Sequence, residues 1–353
     1  MPEIVQFTAP GRVDVVEQPP AVLEAGAVRL ATWFSGISAG TELTAYRGSN
    51  PYLAKTWDSE RRLFIEGEPS FGYPVRGWGY QEVGEVVEVA DGVDGPKVGE
   101  VVYGIWGHRA DVVVPAAAVA GHTMPDGVPP VHGVFARVGA IALNAVLGAG
   151  AHVGESVVVF GQGVIGLLAA RLASLDGADV TAVDTLPGRL ELSHAFGAVA
   201  ALPAAMPGGV AGAMRDATGN IGADAAIELS GSHLALNEAI RSVRAAGRVV
   251  AAGFYQGEAA GLRLGEEFHH NRVEIVASQI GGVPPGLAGR WDHERLLQVF
   301  MRQVAAGRVD VSPLLTHVVD VADAADAYAL LDERPQDALQ VVLRFPAAPE
   351  EQR

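Results

Sequence analysis

Three glycines in one short run carry the clearest chemistry in this chain. Gly161, Gly163 and Gly166 stand in Val157-Val158-Val159-Phe160-Gly161-Gln162-Gly163-Val164-Ile165-Gly166, between an apolar strand pattern and an apolar helix pattern. A second strand pattern, Asp179–Val183, ends on Asp184, 18 residues after Gly166. Each part has a separate task on a dinucleotide. Gly161 allows a tight turn, Gly163 lets the backbone approach a pyrophosphate, and Gly166 lets helix and strand pack closely. Val164 and Ile165 open the helix, whose N-terminus faces negative charge. The carboxylate of Asp184 accepts from ribose hydroxyls and repels a 2′-phosphate, so the expected cofactor is NAD rather than NADP.

Those glycines need a parallel sheet to hold them. From Gly133 to Gly281 strand and helix patterns alternate, with candidate strands at 156–160, 179–184, 198–202, 224–228, 248–253 and 274–278. This spacing implies βαβ units in a doubly wound α/β sheet, which binds ligands beyond the strand ends. Ser230 with Gly231, Gly253 with Phe254, and Ser278 all follow such ends, and Arg189 lies five residues past Asp184, placed to stack on adenine or to face solvent. Residues 1–130 are instead β-rich, with alternating runs at 13–16, 28–32, 83–89 and 112–114. Arg47–Pro74 mixes aromatic and charged residues without a period, as a functional loop or a set of short elements would. The tail holds helix patterns at 292–306 and 322–331 and a closing strand at 338–345.

Composition narrows the partners. The 353 residues carry a net charge of −16, which opposes binding to nucleic acid and to anionic membranes. There is no cysteine, so neither a disulfide framework nor a thiolate metal site is possible. The start, Met1-Pro2-Glu3-Ile4, lacks a basic segment followed by an apolar core, and Val157–Ala173, taken as the longest apolar stretch, is broken by glycines. The expectation is a soluble cytoplasmic protein acting on a small molecule.

The whole layout resembles the medium-chain dehydrogenase/reductase family. Gly36-Ile37-Ser38-Ala39-Gly40-Thr41-Glu42 is similar to its Gly-x-Cys-Gly-Thr-Asp segment, and Gly79-Tyr80-Gln81-Glu82-Val83-Gly84-Glu85-Val86 to its Gly-His-Glu-x-x-Gly-x-Val segment. Closest in wording is the zinc-less branch that includes bacteriochlorophyllide dehydrogenase, with its Gly-Thr-Glu form and Tyr-Pro…Gly-Tyr run, here Tyr73-Pro74 and Gly79-Tyr80. The resemblance implies a GroES-like catalytic domain over 1–137 and 283–353 and a Rossmann dinucleotide-binding domain over 138–282. It also implies a homodimer paired through the strand at 274–278. Zinc-type members hold their metal with Cys, His-Glu and a third ligand. Here those positions fall on Ser38 or Ala39, Tyr80, Gln81 and the neighbourhood of Ala136, none a good zinc donor. No metal is therefore expected.

Without a metal, the alcohol proton needs another route. By the resemblance Thr41 stands where a hydroxyl bonds the substrate oxygen and begins a proton relay; a turn hydroxyl is the plainer role. Tyr80, at the lost His position, either donates to a carbonyl oxygen or packs the pocket wall. Gln81 either holds that phenol or fills the vacated space, and Glu42 replaces an Asp that is mainly structural. His108 titrates nearest neutrality and is a candidate base, although a lone His is more often a satisfied core or surface group. The reaction expected is interconversion of a secondary alcohol, cyclic or sugar-like, and its ketone, with Tyr46, Trp57, Trp78, Tyr80, Trp106 and Phe254 lining the substrate. The alternatives are a zinc-free NADPH quinone or enoyl reductase, and a non-catalytic NAD-binding sensor or scaffold.

Overall fold

Strand β1 (Glu3–Ala9) buries Ile4, Val5 and Phe7 and turns at Gly11 into the antiparallel β2 (Arg12–Glu17). Gly11 has φ +70°, a conformation that favours glycine. β3 (Ala27–Gly36) is buried along most of its length and delivers the chain to helix α1 (Ala39–Tyr46). The aperiodic stretch that follows contains a 3-10 turn at Pro51–Leu53 and a hairpin of β4 (Thr56–Asp58) and β5 (Leu63–Ile65). Then come β6 (Val75–Arg76), β7 (Glu82–Val89), β8 (Val101–Gly104) and β9 (Asp111–Pro115). β6 pairs with β1, while β3 pairs antiparallel with both β7 and β9.

Helix α2 (Phe135–Ala149) leads into the nucleotide fold. Its strands are β10 (Ser156–Phe160), β11 (Asp179–Asp184), β12 (Ala198–Pro203), β13 (Ala223–Glu228), β14 (Val243–Ala251) and β15 (Glu274–Ala277). They form one parallel sheet in the order β12-β11-β10-β13-β14-β15, so the sheet changes direction beside β10. Val157 to Phe160 are all buried, as a central strand covered on both faces requires. The helices α3 (Val164–Leu175), α4 (Pro187–Ala195), α5 (Gly209–Ala217) and α6 (His233–Ser242) supply the cover. Helix α7 (His293–Ala305) follows, capped by Asp292, whose side chain accepts from the Arg295 N–H at 2.7 Å. The chain ends in β16 (Leu315–Asp320), α8 (Ala324–Glu333) and β17 (Gln340–Arg344), with β17 pairing back onto β3.

The computed structural model describes residues 1–349. By contacts it forms two units, Val138–Val309, and Met1–Arg137 with the chain from Asp310 onward. Residues 283–309, assigned from sequence to the β-rich part, therefore go with the nucleotide fold. The reason is α7: its Leu296, Leu297, Phe300 and Met301 are buried, and a Cβ at Gly139 of α2 would lie 2.3 Å from the Phe300 ring. Residues 350–353 of the segment expected over 283–353 lie outside the described residues. One run, Pro130–Ala149, is long and apolar enough to cross a membrane, and the sequence reading passed over it; 72% of it is buried within the fold, as in a core helix.

Candidate active site

In the nucleotide fold the glycine turn has the geometry its residue types demand. Gly161 has φ +86°, and a Cβ there would sit 2.7 Å from the Ser230 backbone nitrogen. A Cβ at Gly166 would fall 1.7 Å from the Gly161 carbonyl oxygen, so the helix could not approach the strand end with any side chain there. Gly163 caps α3, with Val164 and Ile165 opening its first turn; a Cβ on Gly163 would meet only the Arg189 guanidinium, at 3.9 Å. Arg189 thus reaches back toward the turn. Burial lowers its pKa, against the pull of Asp184.

Asp184 is buried at the end of β11. Its Oδ2 accepts from the Gln162 N–H at 2.6 Å and its Oδ1 from the Leu186 N–H at 2.8 Å. Each oxygen keeps a lone pair for a ribose hydroxyl. Gly161, Asp184 and Ser230 line a hollow of about 650 Å³ that extends to Asn237, Arg241 and Arg263.

A group that sequence reasoning passed over organises the neighbouring strand ends. Glu228, fully buried, accepts at Oε1 from the Ser230 N–H (2.8 Å) and hydroxyl, and at Oε2 from the Gly231 N–H (3.2 Å) and the Tyr255 hydroxyl (2.5 Å). Burial holds its pKa above the usual carboxylate range and Tyr255 above that of a phenol. Gly253 must be a glycine to admit this knot, since its Cβ would lie 2.4 Å from the Gly231 nitrogen. Phe254 is exposed, and the Ser278 hydroxyl accepts from Asn144 at 3.4 Å.

In the β-rich unit, the turn after β3 and the first turn of α1 present hydroxyls to Tyr80. The Tyr80 phenol is hydrogen-bonded to the Ser38 hydroxyl and lies 3.3 Å from Thr41 Oγ1. Burial raises its pKa; the Ser38 and Thr41 bonds and the Arg137 charge oppose that rise. Gln81 does not hold the phenol. It is buried with its amide nitrogen toward the Val134 carbonyl (3.1 Å) and Gln340 (3.3 Å), and its oxygen toward the Ser38 N–H (3.3 Å). Gln340 donates to the Ile37 and Val341 carbonyls at 3.0 and 2.9 Å.

His108, the candidate base, lies buried between Glu42 and Ser35. It is 1% exposed, with Nε2 2.7 Å from Glu42 Oε2 and Nδ1 2.6 Å from Ser35 Oγ. The Ser35 hydroxyl also donates to Glu82 Oε1 at 3.0 Å, so the ring lies between two carboxylates that favour its charged form. Burial opposes that charge, but Glu42 and then Glu82 raise the His108 pKa overall. Glu42, fully buried, also accepts from the Ser38 N–H at 2.8 Å and from Tyr328 at 2.5 Å. It holds the Ser38 turn and has no opening to a substrate. Glu82 accepts from the Trp106 N–H at 2.8 Å, and burial raises its pKa.

Trp106 is buried and donates to Thr32 at 2.9 Å, and Tyr46 stacks on Tyr328 at 5.9 Å. Trp57 packs on Phe64, and Trp78 packs edge-on against Phe71 at 5.2 Å.

The donors at the expected metal positions do not fit zinc. Two hydroxyls, a neutral amide and Ala136 replace thiolate, imidazole and carboxylate, and the hydroxyls are already bonded to one another.

Comparison with known proteins places this geometry. A family model described as "Zinc-binding dehydrogenase" matches residues 164–292. D-guloside 3-dehydrogenase of Escherichia coli (strain K12) is 28% identical over 349 residues, 96% of this chain and 98% of that protein. (R,R)-butanediol dehydrogenase of Bacillus subtilis (strain 168) is 28% identical over 77% of this chain and 80% of that protein. The crystal structure of 2R,3R-butanediol dehydrogenase from Bacillus subtilis superposes with a TM-score of 0.80 at 20% identity, covering 98% of this chain and 99% of that one.

Proposed function

This chain belongs to the medium-chain dehydrogenase/reductase superfamily of zinc-type alcohol dehydrogenase-like proteins, and from that premise we propose that it is a zinc-independent, NAD-dependent dehydrogenase interconverting a secondary alcohol and its ketone. One relative is named as a butanediol dehydrogenase, and two solved structures of the same fold are described with NADH and with NADP. One observation carries the metal-free reading: the phenol of Tyr80 and the hydroxyl of Ser38 occupy two ligand positions and bond to each other beside Thr41.

Gly161, Gly163, Gly166 and Asp184 would hold the dinucleotide, which would supply a hydride acceptor for the carbinol carbon. The chain's own task is the hydroxyl proton. Tyr80 accepts it while passing its own proton to Ser38 or Thr41 and on to solvent, and the reverse path protonates the ketone oxygen. Glu42 holds the Ser38 turn in place through the 2.8 Å bond to its N–H. In the nucleotide fold, Gly161, Gly163 and Gly166 leave room for the pyrophosphate, with Arg189 near them. Asp184 takes the adenosine ribose and excludes a 2′-phosphate, which also argues against an NADPH quinone or enoyl reductase. The substrate class is a cyclic or sugar-like secondary alcohol, in keeping with a relative named for a guloside. A homodimer through the open edge of β15 and a cytoplasmic location complete the reading.

A panel of cyclic polyols, glycosides and their ketones with NAD(H), combined with metal analysis of the purified protein, tests it. Turnover unaffected by chelators and without stoichiometric zinc is expected; about one zinc per chain, or activity lost to chelation, overturns it. Asp184→Ser should weaken NADH binding by about 10–100-fold, the worth of hydrogen bonds to a charged group, and narrow the preference over NADPH. Equal NADH and NADPH affinities in the unmodified protein would remove the NAD assignment.

A further inference from the structure

Two buried carboxylates bracket the glycine turn. β10 lies between β11 and β13, with Phe160 in register with Val183 on one side and Glu228 on the other. Asp184 ends the first neighbour and Glu228 the second. Asp184 has a task on the ribose; Glu228 has none. Yet its turn touches the glycine turn directly, since a Cβ at Gly161 would lie 2.7 Å from the Ser230 nitrogen and 3.0 Å from its Cα. Ser230 also lines the same hollow as Gly161 and Asp184. Glu228 is fully buried, and among the described residues it makes no ion pair. Its four donors are of two kinds. The Ser230 and Gly231 N–H groups can only donate, whereas the Ser230 and Tyr255 hydroxyls can donate or accept. A proton on Oε2 would be received by the Tyr255 oxygen with every heavy atom of the knot in place. The site can thus hold either the carboxylate or the carboxylic acid, and burial favours the acid. The other titratable groups around it are the His233 imidazole, stacked on the Tyr255 ring at 5.5 Å, and, across β10, Asp184 with the Arg189 guanidinium.

We propose that Glu228 is the proton-accepting group of the dinucleotide site: it takes a proton from solvent as the dinucleotide binds and passes from carboxylate to carboxylic acid. The inference rests on the dinucleotide reading above. The pyrophosphate brings negative charge to the glycine turn, and like charge disfavours a buried carboxylate that has no cation. Both oxygens of Asp184 accept from N–H groups, which cannot reverse, so Asp184 keeps its charge. Glu228 faces hydroxyls that can reverse, and it is the one that yields. The Ser230–Gly231 turn stays in place in both states, so the proton changes the charge behind the phosphates rather than the shape of the site.

Calorimetric titration of the whole protein with NADH in buffers of different ionisation enthalpy, from about pH 6 to about pH 9, tests this. The unmodified protein should take up a fraction of a proton that rises toward about one per site, and Kd should tighten about tenfold or more as pH falls across that range, the effect of a pKa displaced by about one unit. ADP-ribose carries the same phosphates without nicotinamide and should give the same uptake. Glu228→Gln stands in for the acid, so its Kd should match the acid limit of the unmodified protein, tighter than the parent at alkaline pH and level with pH. A residue that only supported the turn would weaken binding when changed. Should that variant fold poorly, infrared difference spectra of the unmodified protein decide: the carbonyl band of a protonated carboxyl should appear on adding NADH, and its absence overturns the inference. Uptake that persists in Glu228→Gln, or that occurs with NADH and not with ADP-ribose, overturns it as well. Binding of NADH without uptake at any pH overturns the inference alone, whereas failure of the unmodified protein to bind either probe overturns the dinucleotide reading and the inference together.

Discussion

Tyr80→Phe should lower alcohol oxidation by about 10²–10⁴-fold, the usual worth of a positioned acid–base group, while NAD affinity stays unchanged. Phenylalanine keeps the ring and its packing and deletes only the oxygen that meets Ser38 and Thr41. The pH dependence follows from the raised pKa, which burial imposes on the phenol. At neutral pH the phenol is protonated, the form that donates to a ketone oxygen. Reduction should thus be level through neutrality and fall only in the alkaline range, whereas oxidation should climb with pH. Tyr80→Phe should flatten both profiles. Steady-state kinetics in the two directions and a fluorescence titration with NADH are sufficient measurements. Retention of more than half of kcat would falsify the relay and leave Thr41 alone with the proton.

The nucleotide fold was largely legible because its signals are local. The strands at 156–160 and 179–184 have the bounds read from their apolar runs, since a central parallel strand is buried on both faces and cannot hide its pattern. The β-rich unit was harder. β1, β6, β8 and β16 escaped notice, two of them being only two and four residues long, and the hairpin of β4 and β5 has little apolar alternation. Side-chain partnerships across long separations left no mark at all. Nothing in the helix pattern of α8 announces that the Tyr328 hydroxyl serves Glu42, 286 residues away. His108 invited a catalytic reading because residue type says when a group titrates, not whether solvent reaches it. The Glu228 knot had one available signal, a carboxylate at a strand end just before a Ser-Gly turn.

The brace around Glu42 predicts the largest effect on stability. His108→Gln should destabilise the β-rich unit by about 3–5 kcal/mol, because removing one partner of a buried pair leaves the other charge uncompensated. Glu42 is fully buried and loses its cationic partner, keeping the Ser38 N–H and Tyr328 as donors. His108→Gln with Glu42→Gln should cost less than the sum of the two single changes, because the orphaned carboxylate goes with the second substitution. The linkage has a definite sign. The folded pKa of His108 lies above the ordinary imidazole value, since Glu42 and Glu82 outweigh burial. Its contribution is therefore complete below about pH 6.5 and is lost as pH rises through the folded value. The raised pKa of Glu82 acts in the same direction. Urea unfolding of the unmodified protein should show stability falling from mildly acidic to alkaline pH, and His108→Gln should remove most of that slope. A variant as stable as its parent at both ends of that range would mean that the imidazole is neutral and the pair an ordinary hydrogen bond.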